Sequence, residues 1–454
     1  MSETTTPAPE LDGVVEAAMT RWGVPGLTLG ILRDGEAETR AYGVASLESG
    51  YPVRPDSLFQ IGSISKVYTA TLVMTFVEEG VLDLDTPVST YLPDLVLADP
   101  AARDAITVRH LLAHTSGLEG DRFTDYGMGD DALSRAIAEF HTLRQITPPG
   151  ETWSYCNTGF YLTGAIIERL TGKPFETVMR ERILEPLGLT RSFFFAHEAI
   201  TYPVAVGHLP VQPGEPAHEV ARRFPLPRCV NAAGGIISDV GDLLRFAAFH
   251  LGDGTVDGQR VLSPESLAAM REPQTEAGSF AEAYGLAWAL HAYDGGWVVG
   301  HGGSTGGYQA QLRIVPGSGF AVGVLTNSAQ GAAAYSEIID WVLEHECGLR
   351  PVRPEPVSLS ADELAWSAGR YHRPDVDITI SVDGDRLRGE VVNRNLITGK
   401  VTTLPPMTLI PIGERRVRIA DTHVRGETIE FLEGPDGNPR FLRFHGRLTD
   451  WQGR

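Results

Sequence analysis

The stretch Phe59-Gln60-Ile61-Gly62-Ser63-Ile64-Ser65-Lys66-Val67-Tyr68 places a lysine three residues after a serine. Arginine supplies almost all the positive charge elsewhere, since the 454 residues include only three lysines: Lys66, Lys173 and Lys400. Arginine stays protonated in proteins, whereas a lysine accepts a proton once burial or neighbouring positive charge lowers its pKa. This spacing therefore indicates an amine base beside a serine nucleophile.

Residues 63 to 79 are typical of a helix that ends at Gly80. Residues three apart lie on one face of a helix, so Ser63 and Lys66 are expected to meet in its first turn. The first backbone N–H groups of a helix lack partners within it and can stabilise developing negative charge. These are the components of acyl transfer. On this motif alone, a plain helix start with Ser63 as N-cap remains the alternative.

Two further segments carry groups suited to the same chemistry. Tyr155-Cys156-Asn157 supplies a tyrosine hydroxyl, which loses its proton more readily beside a lysine cation, and an amide that can bind the lysine or a substrate. Gly300-His301-Gly302-Gly303-Ser304-Thr305-Gly306-Gly307-Tyr308 supplies a histidine within a glycine-rich run that a ligand can approach closely. Taken singly, the two segments also fit an ordinary turn and an ordinary hairpin.

The order and separation of these three segments resemble those of the serine β-lactamase and penicillin-binding-protein superfamily. The likeness is greatest to class C β-lactamases and to the esterases and peptidases related to them. Residues 106–118, which include His114-Thr115-Ser116-Gly117, and residues 232–238 also resemble that group. The resemblance implies an α+β fold in which an antiparallel sheet is flanked by helices and joined by a helical region.

The resemblance also implies a role for each polar residue. Ser63 would be acylated, and Lys66 would remove its proton. Tyr155 would relay protons during acylation or deacylation. Asn157 would hold Lys66 and the substrate amide.

His301 occupies the place of the lysine in the family's third motif. Because a histidine is mostly neutral at pH 7, this departure weakens the β-lactamase interpretation and favours ester, thioester or peptide chemistry. The backbone N–H groups of Ser63 and Ser304 would form the oxyanion hole. Gly302 and Gly303 would lie against the substrate.

Two other motifs are interpreted as coincidental. Residues 302–306 match the G-x-S-x-G nucleophile elbow, but the residues after them alternate like a strand where the elbow needs a helix. His110 and His114 are spaced like zinc ligands on a helix, but Leu111 replaces the expected glutamate. These histidines are interpreted as packing or capping groups, and neither a metal nor a cofactor is expected.

Composition limits the partners and the compartment. A formal net charge of −20 argues against binding to nucleic acid or an anionic membrane. The three cysteines do not have the spacing of a disulfide framework, and no apolar run is long enough for a membrane span. Residues 1–9 are predicted to be disordered and lack the features of a signal peptide, which predicts a cytoplasmic protein.

Three segments of different character follow residues 1–9. Residues 10–350 are predicted to form the β-lactamase-like catalytic domain, and the three prolines in residues 351–360 predict an extended linker. Residues 361–454 contain short alternating strands separated by turns such as Asp383-Gly384, a pattern typical of a small antiparallel β-barrel. This part resembles the lipocalin-like domain appended to some serine hydrolases of the superfamily.

The combination resembles the penicillin-binding-protein-type thioesterases of nonribosomal peptide pathways. This resemblance implies a stand-alone enzyme that takes a peptidyl thioester from a carrier-protein partner onto Ser63 and releases a head-to-tail macrolactam. Tethering would favour attack by the amine at the other end of the same chain. An arginine near the end of the barrel would reach the active site, and the candidates are Arg447 and Arg443.

Two alternatives remain open on the sequence. An esterase, or a D-amino-acid peptidase or amidase, that hydrolyses small esters or peptides has the same two-domain plan. A non-catalytic peptide-binding sensor is the third possibility, although the intact Ser63, Lys66 and Tyr155 argue against it. Because one fold hosts many activities, the layout does not decide between cyclase and hydrolase.

Overall fold

The computed structural model describes residues 10–211, 218–224, 226–396, 399–421 and 426–454. The predicted disorder of residues 1–9 lies outside these ranges. Within them the chain builds a mixed unit of helices around an antiparallel sheet, followed by a β-barrel. No helix among these residues is long and apolar enough to cross a bilayer.

The first sheet joins strands from both ends of the mixed unit. Its strands are β1 (Gly26–Arg33), β2 (Glu36–Gly43), β3 (Ala283–Tyr284), β4 (Ala289–Asp294), β5 (Gly296–Thr305), β6 (Tyr308–Val315), β7 (Phe320–Thr326) and β8 (Arg350–Pro351). They follow the order β8-β4-β5-β6-β7-β1-β2, and β3 pairs with β4. The strands β1 and β7 are buried almost throughout and apolar along most of their length, because helices cover both faces of the sheet.

Among the described residues, five helices have twelve residues or more: α1 (Leu11–Trp22), α2 (Ser65–Glu78), α3 (Asn157–Thr171), α4 (Val240–Leu251) and α5 (Gly331–Cys347). The helices α1 and α5 pack on one face of the sheet. On the other face, Gly30 pairs with Gly323, and a side chain at Gly30 would come within 2.6 Å of Val240 Cγ2. This pair of glycines therefore lets α4 lie directly on the sheet.

The helix α2 runs through the interior of the molecule. Twelve of its fourteen residues are buried, so it is covered on all sides and shows little amphipathic character. A helix held this firmly provides a rigid base for the side chains of its first turn.

Shorter elements connect these parts. The other α-helices are Val88–Tyr91, Pro100–Ala105, Val108–Leu112, Ala132–Ala138, Phe175–Met179, Ala196–Ala199, Asn231–Gly234, Pro264–Met270 and Ala361–Ser367. In the part of the chain described, three segments form 3₁₀ turns: Gly62–Ile64, Phe140–Thr142 and Arg228–Val230. One segment, Arg180–Leu184, is a π-helical turn. Three small two-stranded sheets pair Phe59–Gln60 with Ile237–Ser238, His208–Pro210 with His218–Val220, and Thr255–Val256 with Gln259–Arg260.

The C-terminal part forms a closed antiparallel barrel. Its strands are β9 (Gly369–Arg373), β10 (Val376–Asp383), β11 (Arg386–Arg394), β12 (Val401–Thr403), β13 (Met407–Gly413), β14 (Arg416–Ile419), β15 (Thr428–Glu433), β16 (Pro439–Phe444) and β17 (Arg447–Gly453). The order is β10-β9-β17-β16-β15-β14-β13-β11, pairing of β10 with β11 closes the ring, and β12 extends β11. Side chains such as Ile378, Leu409 and Phe431 fill the interior. The predicted fold class, α+β with a lipocalin-like barrel, is confirmed.

The connection between the two parts is extended but anchored. Arg350–Pro351 pairs with β4, and Val357 N–H donates to the Pro411 carbonyl at 2.9 Å. A capping box at Ser360 then starts the helix that leads into the barrel. The division of the chain at residues 351–360 remains a prediction.

Candidate active site

Ser63 lies in the short 3₁₀ turn Gly62–Ile64, which leads directly into α2. Gly62 has a φ of 53°, in the left-handed region that glycine tolerates, and a side chain there would come within 2.8 Å of Ser304 N. The predicted helix start is confirmed, with a first turn tighter than an α-helix. Half-buried Ser63 is therefore held at the junction of α2 and the end of β5.

Lys66 is fully buried one turn further along. Its Nζ lies 3.3 Å from Ser63 Oγ and 2.6 Å from both Asn157 Oδ1 and the Ala233 carbonyl oxygen. Burial lowers the pKa of Lys66 well below its ordinary value, and the charge of Arg447 lowers it further. The expected meeting of Ser63 and Lys66 is present in the structure, and this lysine has the environment of a neutral amine.

Tyr155 packs beside Lys66, with the ring centroid 4.9 Å from Nζ. Burial raises the pKa of Tyr155, although a hydrogen bond with Ser63 and the charge of Arg447 oppose this. The sequence-based expectation that a lysine cation would ease proton loss from Tyr155 is therefore wrong. Desolvation dominates, and the phenol stays protonated at neutral pH, so it can donate a proton.

His301 is almost fully buried on β5. Its Nδ1 donates to the Gly302 carbonyl oxygen at 2.6 Å, and its Nε2 accepts from the Tyr284 hydroxyl at 3.0 Å. Burial is the main cause that lowers the pKa of His301 to about 3. The imidazole is therefore neutral at physiological pH and cannot provide a positive charge for a substrate carboxylate.

The end of β5 presents its backbone to the nucleophile. Pairing of β5 with β4 stops at Gly300, so the residues beyond it face the start of α2. A side chain at Gly303 would come within 1.8 Å of the Ile61 carbonyl oxygen and 3.1 Å of Ser63 N. The backbone amides of Ser63 and Ser304 are thus neighbours, as an oxyanion hole requires.

The substitution Gly303→Ala tests this close approach. Its methyl group would overlap the Ile61 carbonyl and push β5 away from Ser63, so we expect acylation by p-nitrophenyl acetate to slow about 10²-fold. Gly306→Ala is the matched control, since its added carbon meets nothing within 4 Å. Equal loss of rate in both variants, at similar melting temperatures, would contradict the arrangement.

The barrel reaches this site through the turn between β16 and β17. Tyr155 N–H donates to the Gly446 carbonyl at 2.9 Å, and Leu448 N–H donates to Ser154 Oγ at 3.4 Å. The Arg447 guanidinium lies 4.8 Å from the Tyr155 ring centroid and forms a two-point ion pair with Asp121. Of the two arginine candidates, Arg447 is therefore the one beside Tyr155 and Asp121.

Arg443 lies deeper between the two parts. It pairs with Glu430 on the barrel and donates to the Trp153 carbonyl oxygen at 3.1 Å. Only 5% of the residue is exposed, so protein covers the guanidinium that the sequence analysis considered for substrate binding. Its contacts are those of a structural ion pair that seats the barrel on the segment before Tyr155.

Three residues near the site were not predicted as functional: Asp121, His114 and Tyr284. Asp121 accepts from Asn157 Nδ2 at 2.6 Å. His114 Nδ1 accepts from Cys156 N–H at 3.1 Å, and its ring lies 4.3 Å from that of Tyr155. The only sequence signal for His114 was the motif at residues 114–117; nothing local distinguishes Asp121 from other loop acids.

The two histidines interpreted as packing or capping groups have those roles. His110 completes a capping box with Thr107, and His114 is the buried acceptor described above. Within the described ranges, no group of three or more potential metal ligands is assembled.

A small cleft opens between the barrel and the mixed unit. Tyr155 and Arg447 line it, together with the turn between β9 and β10. Charged residues of both signs line it: Glu119, Asp121, Arg144, Arg373, Asp375 and Arg447. The lining residues therefore come from both parts of the protein.

The fold and the grouping of a buried lysine with a serine at a helix start define the class: penicillin-binding-protein-like serine hydrolases. The chain belongs to the Beta-lactamase family, whose model matches residues 11–346.

Known relatives extend the likeness to most of the chain. Penicillin-binding protein 4 of Amycolatopsis lactamdurans is 38% identical over 370 residues, covering 79% of this chain and 96% of that protein. Unguisins hydrolase ungD' of Aspergillus campestris (strain IBT 28561) is 27% identical over 480 residues, covering 94% and 88%. The crystal structure of SurE with D-Leu has a TM-score of 0.76 at 27% identity and covers 97% of this chain and 98% of SurE.

Proposed function

We propose that this protein is a peptide cyclase that forms an acyl-enzyme on Ser63 from a peptidyl thioester and releases a head-to-tail macrolactam. The observation that carries the proposal is the barrel turn that bonds to the Tyr155 backbone and places Arg447 over the Tyr155 ring. The likeness to SurE, which spans nearly all of both chains and includes a structure with D-Leu, supports a D-configured residue at the acyl end.

Acylation uses the groups around Ser63. Lys66 takes the proton of the Ser63 hydroxyl as Oγ bonds to the thioester carbonyl carbon, and the Ser63 and Ser304 amides hold the oxyanion. The C–S bond then breaks, and the thiolate takes a proton from Tyr155. Lys66 returns a proton to Tyr155, which leaves an ester on Ser63 and restores the resting protonation states.

Release reverses the same transfers. The amine at the other end of the bound peptide attacks the ester carbonyl carbon, and its proton passes to the neutral amine of Lys66. The C–O bond to Ser63 breaks, and Lys66 returns the proton to Oγ, which restores the resting protonation states. Because the amine is tethered, its effective concentration exceeds that of an amine free in solution, and the covering barrel limits access of water.

The neutral His301 supports a thioester over a β-lactam as the substrate. A β-lactam antibiotic and a free peptide C-terminus carry a carboxylate that the family's third-motif lysine suits, whereas an internal acyl thioester has no such charge. With its pKa lowered to about 3, His301 gives no electrostatic advantage to a carboxylate at neutral pH. Transfer from a carrier-protein partner in the cytoplasm is part of the proposal.

The test uses a linear peptidyl N-acetylcysteamine thioester with a D-residue at its acyl end. We expect a product whose mass is one water below that of the linear acid, identified by tandem mass spectrometry as a ring. The matched substrate has an L-residue at the same position and should cyclise more slowly. Formation of linear acid alone would overturn the cyclase proposal.

A hydrolase of peptides or esters is the second candidate. The relative that supports it is the Unguisins hydrolase, which aligns with 94% of this chain, including the barrel. In that case water enters the cleft and the linear acid is the product. A non-catalytic peptide sensor has less support, because Lys66 Nζ lies 3.3 Å from Ser63 Oγ.

A further inference from the structure

The amine of Lys66 has three polar neighbours, and two of them only accept hydrogen bonds. Both the Ala233 carbonyl and Asn157 Oδ1 lie 2.6 Å from Nζ, whereas Ser63 Oγ lies at 3.3 Å. A neutral amine has two hydrogens and one lone pair. In that neutral form, which the lowered pKa of Lys66 favours, the two short bonds use both hydrogens, and the lone pair is left for the Ser63 hydroxyl.

This arrangement depends on which way the Asn157 amide points. An asparagine can present either its oxygen or its NH₂ group to a neighbour. If Nδ2 faced Lys66, it would donate to the lone pair and compete with Ser63 for the base. The orientation is fixed on the far side of the amide, where Nδ2 donates to Asp121 Oδ1 at 2.6 Å.

Asp121 can fix that orientation because it remains an acceptor. Burial raises the pKa of Asp121, but the charge and hydrogen bonds of Arg447 more than offset this, so its pKa is lower than usual. Arg447 donates from Nε to Oδ2 and from Nη2 to Oδ1, the latter at 3.2 Å. An ionised carboxylate has no hydrogen to donate, and it therefore excludes the flipped amide.

We propose that Asp121, held by Arg447, is a positioning residue that orients the Asn157 amide and thereby aims the Lys66 lone pair at Ser63. The inference rests on the proposed acylation of Ser63 but not on cyclisation. It also couples base catalysis to the barrel, because Arg447 lies 326 positions after Asp121 and belongs to β17.

The charges of the pair give the proposal a signed pH dependence. Burial is the largest cause of the lowered pKa of Lys66, Arg447 lowers it further, and Asp121 raises it. Loss of the Arg447 charge therefore raises the pKa of Lys66. The pH range over which the acylation rate rises, which we call the acidic limb of the pH profile, then moves to higher pH. Loss of both charges moves it back toward the wild-type position.

The experiment measures single-turnover acylation by p-nitrophenyl acetate against pH, with the adduct located by peptide mapping. In Asp121→Asn, Arg447 attracts the amide oxygen and the new NH₂ faces Asn157, which flips. We expect the plateau rate to fall at least about tenfold, comparable to the loss of a hydrogen bond to a charged group. Arg447→Gln should shift the acidic limb upward, and the double variant should reverse that shift.

Asp450→Asn is the matched control. It removes another carboxylate at the junction of the barrel and the mixed unit, where Asp450 pairs with Arg144, and should leave both plateau and pH profile unchanged. The proposal is overturned by an unchanged plateau in Asp121→Asn, by equal loss in Asp450→Asn, or by a downward limb shift in Arg447→Gln. Absence of a Ser63 adduct in the wild-type protein would instead refute the proposed function.

Discussion

Ser63→Ala is expected to abolish the covalent adduct and to slow turnover of ester and thioester substrates by about 10⁴-fold or more. The hydroxyl oxygen is the atom that carries the acyl group, and among the described residues no other hydroxyl forms a hydrogen bond with Lys66 Nζ. Residual activity would come from binding and the backbone amides alone. Intact-mass measurement after exposure to a fluorophosphonate gives a direct count of modified protein.

The control is a serine outside the site. Ser318→Ala removes a hydroxyl on the turn between β6 and β7, where it donates to the nearby Val315 carbonyl, and should be labelled like the wild type. Peptide mapping should then locate the fluorophosphonate adduct in the segment that contains Ser63. An adduct on another segment, or labelling that persists in Ser63→Ala, would contradict the proposal that Ser63 is the nucleophile.

The sequence predicted contacts between residues close together in the chain better than contacts between distant residues. Ser63 and Lys66 are three residues apart, so helix geometry alone brings them together. Asn157 meets Lys66 across 91 positions; its chemistry made that contact possible, and the family resemblance implied it. Asp121 joins Arg447 across 326 positions through docking of the barrel, which no local pattern encodes.

The barrel shows the same contrast. Strands that flank the Asp383-Gly384 turn were predicted, because that turn and the alternation on either side of it are readable locally. The strands β9 and β17 were not predicted, since β9 has Tyr371 as its one large apolar residue and polar residues interrupt the alternation of β17. They pair with one another and help to close the ring. This pairing joins residues far apart in the sequence, so no local pattern predicts it. The raised pKa of Tyr155 was likewise invisible, because burial is a property of the folded site.

Lys66→Arg is expected to lower the acylation rate about 10³-fold or more at neutral pH, within the range of losses seen when one member of a catalytic group is removed. The substitution keeps a positive charge but removes the base, because a guanidinium does not lose its proton in proteins. In the wild-type protein the pKa of Lys66 is lowered, so the neutral amine accumulates as pH rises through that lowered value. The acylation rate should therefore rise with pH and level off well below the ordinary pKa of lysine. In Lys66→Arg this rise should be absent.

The control is the same substitution at Lys173, which distinguishes loss of the base from a general effect of replacing lysine by arginine. Lys173 is half-exposed and pairs with Glu181, so Lys173→Arg keeps the ion pair and should retain both the rate and its pH profile. A buried arginine at position 66 also disturbs packing, and thermal melting of both variants measures that effect. If folded Lys66→Arg retained a tenth or more of the wild-type rate, or the same rise with pH, another group would have to take the Ser63 proton. Tyr155 could not do so at neutral pH, because burial keeps its phenol protonated.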